Sequence, residues 1–168
     1  MSLHFILDGY NVIKQTAPLA DMDIQSSRLY LIRWLETYHP QGSLRNQATV
    51  VFDGHVSVGG YPQYQSSSVK VLFSYDESAD DVIKRMVAES ENKKSIVVVT
   101  NDREIQYFVK GLGAQILEVQ NFLEKGEKSG GAASGKSGTT KNLSRTTQDQ
   151  INAELEKIWL NKKDDVSK

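Results

Sequence analysis

An α/β domain on a mainly parallel sheet, with helices over both faces, is what this 168-residue sequence predicts. Three observations carry that expectation. Short apolar runs alternate with segments of helical periodicity along residues 1–125. The run SIVVVT (95–100) is β-branched throughout its centre, which suits a strand covered on both faces. The length allows one substantial core and is too short for two comfortable ones.

The elements follow in order. Residues 3–7 form a first apolar strand that stops at Asp8. Ile24, Leu31, Ile32, Leu35 and Tyr38 recur at helical spacing and end before Pro40. ATVVF (48–52) is a second buried strand, closed by Asp53 and Gly54. VKVLF (69–73) alternates and gives a third, less buried one. Ala79, Val82, Ile83, Met86 and Val87 define an amphipathic helix. After the strand at 95–100, Ile105, Phe108, Val109 and Leu112 make the next helix, stopped by Gly111 and Gly113. AQILEV (114–119) is a further strand, and Phe122 and Leu123 begin a short helix.

Beyond this body, residues 1–126, the texture changes. The stretch 127–146, which includes KSGGAASGKSGTTKN, reads as a flexible Gly/Ser-rich linker. In 147–168, Ile151, Leu155, Ile158 and Trp159 share one face of a terminal amphipathic helix. That stripe suits docking on the body, on another copy or on a partner.

Composition excludes several functions. With 39% hydrophobic and 24% charged residues the chain is ordinary for a globular protein. No apolar run approaches the roughly 20 residues that span a bilayer. The start shows no basic segment, long apolar core and cleavage site. A soluble, cytoplasmic protein without membrane contact is expected, and the lack of cysteine fits a reducing compartment. It also rules out thiolate metal sites and cysteine nucleophiles. Net charge is −1, but residues 1–125 carry −3 and residues 126–168 carry +2. A polyanion partner would therefore need local basic groups or bound cations rather than bulk charge.

The chemistry concentrates in aspartates. Asp8 and Asp53 end the first two strands, Asp80 and Asp81 open the helix after the third, and Asp102 opens the helix after 95–100. Right-handed crossovers place all of these at the carboxyl edge of the sheet, where ligands bind in such folds. Crowded carboxylates repel one another unless a proton or cation neutralises them. Mg²⁺ or Mn²⁺ prefers such oxygen ligands and suits phosphoryl chemistry. Each aspartate also has a plainer role. Ser78 and Asp81 fit a capping box, Asn101 fits an N-cap with Glu104 three residues on, and Asp53-Gly54 is a common turn pair. Asp8 resists such a reading, because no helix obviously starts there. Gly9 lets the chain turn sharply beside Asp8. Asn11 orients a carboxylate, a water or a phosphate oxygen, or else forms an Asx turn.

Four ordered segments, LDGYNVI, VVFDG, SADDVIKRMV and VVVTNDREIQ, resemble the NYN domain family in order and approximate spacing, most closely its bacterial YacP-like branch within the PIN-like ribonuclease superfamily. The resemblance covers about residues 3–124. It implies a Rossmann-like three-layer α/β/α domain that cleaves RNA, single-stranded RNA or mRNA, with a divalent metal. It also implies that Asp8 and Asn11 match the first motif, with Asp8 a metal ligand. Asp80 falls on the aspartate of TADxxI, with Ser78 in place of threonine. Asp102 falls on that of TSDxxxQ, with Asn101 in place of serine and Gln106 kept. Asp53 matches the FDG motif, whose share in catalysis is less defined, and Asp81 is a further candidate ligand.

Contacts to RNA are signalled more faintly. Tyr61 and Tyr64, in the stretch after Asp53, are candidates for base stacking, and Arg103 and Arg85 for phosphate. Each also fits an ordinary solvated surface. Beside a metal-dependent endoribonuclease stand two other classes. One is a non-catalytic RNA-binding or adaptor module on the same fold, with a protein partner such as the translation machinery at its terminal helix. The other is a phosphoryl-accepting receiver domain, which wants paired acids after the first strand and a lysine after the fifth. Here Gly9 follows Asp8, and Gln120 follows Val119.

Overall fold

The computed structural model describes residues 1–55 and 68–130. Tyr61, Tyr64, most of the linker and the terminal helix lie outside the described residues. Five strands form one sheet: β1 (His4–Asp8), β2 (Gln47–Phe52), β3 (Val69–Phe73), β4 (Ile96–Val99) and β5 (Gln115–Leu117). Their spatial order is β3-β2-β1-β4-β5, and every neighbouring pair is parallel. The predicted α/β class is therefore observed.

Register explains the burial. Leu7 lies opposite Val50 on one side and Val99 on the other, at the centre of the sheet. All three side chains are fully buried. Alternation then sends successive residues to opposite layers. Leu7, Val50, Phe52 and Val99 face a core with α1 (Gly9–Gln15), α3 (Ile24–Tyr38) and α6 (Val119–Gly130). Ile6, Val51 and Val98 face a second core with α4 (Ala79–Glu89) and α5 (Arg103–Gly111). A four-residue helix, α2 (Ala17–Ala20), links α1 to α3, with Pro18 in its first turn.

Several elements depart from expectation. A helix does begin after Asp8. The seven residues GYNVIKQ are helical because Asp8 caps them, Oδ1 accepting from Asn11 N–H at 3.3 Å, and because Val12 and Ile13 are buried. Gly9 consequently makes no sharp turn. It is the first helical residue, and a Cβ there would lie 2.4 Å from Phe52 Cε1, so the need is for close packing. The run 114–119 is strand only to Leu117, since Val119 already opens α6. That helix reaches Gly130, four residues into the stretch expected to be linker. Buried Val119 and Phe122 pin it to the core, and a Cβ on Gly126 would lie 2.3 Å from the Trp34 ring, so this face presses closely on α3.

The strand order reverses at the centre. From β1 the chain moves outward to β2 and β3; it then crosses to β4 and moves outward the other way to β5. The carboxyl ends of β1 and β4 thus flank the crevice of a topological switch point, the usual ligand position in an open α/β sheet.

Candidate active site

Asp8 is the last residue of β1 and shares a face with Ile6, toward α4 and α5. Its side chain is only 8% exposed. Besides capping α1, it accepts a long hydrogen bond from Thr100 Oγ1 at 3.5 Å through Oδ2. Thr100 follows β4 and is fully buried; its hydroxyl oxygen accepts from Asp102 N–H at 3.0 Å. One threonine thereby ties the two central carboxylate residues together.

Asp102 is itself the N-cap of α5. Its Oδ1 accepts from Glu104 N–H and Ile105 N–H, at 2.8 and 3.2 Å. Asn101 therefore does not cap α5, as its spacing had suggested. Its Oδ1 instead accepts from Val119 N–H and its Nδ2 donates to Gln120, both at 2.9 Å, which fixes the start of α6. Asn101 N–H donates to Asn11 Oδ1 at 2.9 Å. Asn11 is thus a structural tie between the ends of β1 and β4. Gln106 Nε2 holds the Thr100 carbonyl at 2.8 Å.

Asp80 and Asp81 open α4, and the helix separates them. Asp81 accepts from the Ser78 hydroxyl at 2.7 Å, while its own N–H donates back to Ser78 Oγ at 3.1 Å. It serves the helix cap. Asp80 is half-buried and acts electrostatically on Asp8. Asp53 is exposed; it accepts from Ser74 Oγ at 3.0 Å, and Ser74 also takes the Gly54 N–H at 3.1 Å. Asp53 is not among the groups that shift Asp8 or Asp80.

The charges show which carboxylates converge. Burial, with the negative charges of Asp80 and Asp102 added, pushes the Asp8 carboxyl up to about 6, against the opposing hydrogen bonds from Asn11 and Thr100. Burial and then the Asp102 charge also raise Asp80. The charges of Asp80 and Asp102 thus act on Asp8, and that of Asp102 acts on Asp80, where Lys84 opposes it and Glu104 and Asp81 add to it; Asp53 stands apart. Among the described residues, no three or more His, Cys, Asp or Glu side chains are placed to hold a metal ion directly. The donors are all oxygen, however, and a set that repels its own charge favours a cation. Such donors fit a hard divalent ion that keeps most of its waters and rests on one or two carboxylates.

The basic residues divide similarly. Arg85 Nη1 reaches both carboxylate oxygens of Glu77 at 2.6 Å, so it is committed to an ion pair. Lys84 donates to Glu104 at 2.5 Å and bridges α4 to α5. Arg103 is exposed beside Asp102 and has no ion pair among the described residues. Thr100 is the contributor that spacing alone did not reveal; its signal is a polar residue directly after the buried IVVV run. No helix among the described residues is long and apolar enough to cross a membrane.

A parallel sheet between two helical layers, with acids at its switch point, matches the PIN-like nuclease-family fold. Within that class the chain belongs to the YacP-like NYN domain family, whose profile matches residues 5–164, well past the segment where the motifs lie. The crystal structure of Rae1 (YacP) from Bacillus subtilis has a similar fold, with a TM-score of 0.65 and 24% identity over 97% of this chain and 90% of that one. A tryptophan-to-leucine mutant of the same Bacillus protein gives a TM-score of 0.62 and 27% identity over 77% of each chain. No curated protein matches this chain in sequence.

Proposed function

We propose that this protein is a metal-dependent endoribonuclease that hydrolyses RNA phosphodiester bonds, leaving a 5′-phosphate and a 3′-hydroxyl. The observation that supports the reading is a buried Asp8 at the switch point on which the negative charges of Asp80 and Asp102 both act. A bound Mg²⁺ or Mn²⁺ would supply an activated water and charge stabilisation for the leaving oxygen. Asp8, Asp80 and Asp102 are the residues that would hold it. Thr100 orients Asp8, Asn11 ties the ends of β1 and β4, and Arg103, exposed beside Asp102, is the residue assigned to a substrate phosphate in this reading. Single-stranded RNA or mRNA is the substrate that belongs to this reading.

A second reading is favoured by one specific observation, the lack of a direct three-residue ligand group among the described residues. It is a non-catalytic RNA-binding or adaptor module on the same fold. One experiment separates them. A pool of structured and single-stranded RNA is incubated with wild type or Asp8→Ala in Mn²⁺, Mg²⁺ or EDTA. Thermal melting of both proteins is followed with and without Mn²⁺. The nuclease reading expects cuts that need metal and vanish in the variant, together with a Mn²⁺-induced rise in wild-type melting temperature that the variant loses. RNA binding without metal response or cleavage would establish the adaptor.

A further inference from the structure

Arg28 on α3 is only 6% exposed, yet no carboxylate pairs with it among the described residues. Its guanidinium lies against three aromatic rings, 5.3 Å from the centroids of Tyr10 and Phe52 and 5.1 Å from that of Phe73. Nη2 donates to the Tyr10 hydroxyl, and the buried Nε has no acceptor among the described residues. Ring faces offset part of the cost of burying a cation, but they supply no counter-charge.

The hydrogen bond has a fixed direction. A guanidinium carries donors and no acceptor, so the Tyr10 oxygen must accept. The phenolic proton then points elsewhere, and among the described residues no acceptor takes it. A donor whose oxygen is already polarised by a buried cation is best matched by an anionic acceptor.

The placement is equally specific. Tyr10 is half-buried and lies two residues after Asp8. Asp8 faces the α4–α5 layer, whereas Tyr10 packs on Phe52 in the α1–α3 layer, ring centroids 5.5 Å apart. The carboxylates and the Tyr10–Arg28 pair therefore flank the same sheet edge from its two faces.

We propose that Tyr10 donates its hydroxyl proton to a non-bridging phosphate oxygen of the RNA, one flanking the bond that is cut, with Arg28 as the positioning residue behind it. The inference rests on the ribonuclease reading and adds a substrate contact to it. Tyr10 binds the ground state and the transition state alike, so its loss affects binding more than turnover.

The test uses the full chain and a fluorescein-labelled single-stranded RNA oligonucleotide. Affinity is measured in EDTA for the unmodified RNA and for versions with one neutral methylphosphonate at each position in turn. Cleavage is measured separately in Mn²⁺. Tyr10→Phe keeps the ring against Phe52 and Arg28, and thermal melting checks its fold. Expected are about tenfold weaker binding and a raised KM, with kcat within about twofold of wild type. One methylphosphonate position that weakens wild-type binding should become silent in Tyr10→Phe. Arg28→Lys, which keeps the charge but loses the planar fork, should silence the same position. Wild-type affinity and an unchanged position profile in Tyr10→Phe would overturn the contact while leaving the ribonuclease reading intact. Equal losses at every position would overturn it too, as general loosening. A wild type that neither binds nor cuts RNA would overturn both.

Discussion

Asn101 N–H donates to Asn11 Oδ1 at 2.9 Å, and this bond joins the ends of the two strands that flank the switch point. Asn11 follows β1 and Asn101 follows β4, so the pair spans the crevice on which Asp8 and Asp102 stand. Asn101 passes the constraint on to α6 through Val119 and Gln120. The amide therefore holds the site's frame.

Replacing Asn11 tests that role. Asn11→Ala leaves the half-buried Asn101 N–H unsatisfied and should cost about 1–3 kcal/mol. Asn11→Asp retains an accepting oxygen, so it should keep most of the stability, although it adds charge beside Asp8. Urea unfolding of the three proteins decides it. Equal stability of Asn11→Ala and wild type would show that water replaces the amide there.

Asp8 should make the protein less stable as pH rises. Its folded-state pKa is raised from the usual 3.8 to about 6, so the native state holds the proton more tightly than the unfolded chain. Stability contributed by the protonated form is full below about pH 4. It is lost as pH climbs through about 6. A shift of about two units corresponds to about 3 kcal/mol as a ceiling. In metal-free buffer, Asp8→Asn should remove this slope and exceed wild type in stability at pH 7, while abolishing cleavage. Denaturation between pH 4 and 8 in EDTA would show it. A wild-type profile flat across that window would contradict the assigned burial and crowding.

The five aspartates should divide by function as they divide in space. Asp80→Asn and Asp102→Asn are expected to lose at least about 100-fold in cleavage, the scale for losing electrostatic stabilisation of developing charge. Asp81→Asn and Asp53→Asn should stay within a few-fold, because those side chains serve Ser78 and Ser74. Asp81→Asn should instead lose about 0.5–1 kcal/mol of stability through its helix cap. Initial rates on one RNA substrate would rank them. Strong loss at Asp53 would show that the acid leaves Ser74 when substrate binds.

Much of this was legible in the sequence, and the exceptions have physical causes. IVVV and ATVVF announce buried parallel strands because apolar residues fill both faces. The α4 helix announces itself by period. The α1 helix does not, since GYNVIKQ opens with poor helix formers and spans only two turns. Tertiary packing of Val12 and Ile13 and the Asp8 cap override that propensity. The convergence of Asp8, Asp80 and Asp102 follows from topology. The diversion of Asp53 and Asp81 does not, because a ligand and a cap demand the same residue at the same spacing. Asn11 was ambiguous for a related reason: its partner is 90 residues away in sequence and adjacent only because β1 pairs with β4.

The close approach at Gly9 gives the last prediction. A Cβ there would lie 2.4 and 2.5 Å from two Phe52 ring carbons and 3.0 Å from Val50 Cγ1. Phe52 is fully buried and contacts the rings of Tyr10 and Phe73 and the Arg28 guanidinium, so it has little room to yield. Ala is otherwise the better helix residue, by about 1 kcal/mol. Overpacking should win, and Gly9→Ala is expected to destabilise the protein by about 1–3 kcal/mol. Relief of the clash then provides the control. Phe52→Leu alone should also destabilise, but combined with Gly9→Ala it should cost less than the two single changes added, a coupling of about 0.5 kcal/mol or more. Strict additivity in urea unfolding would mean that the helix shifts away from β2 instead, and that glycine is needed at this position for some reason other than Phe52.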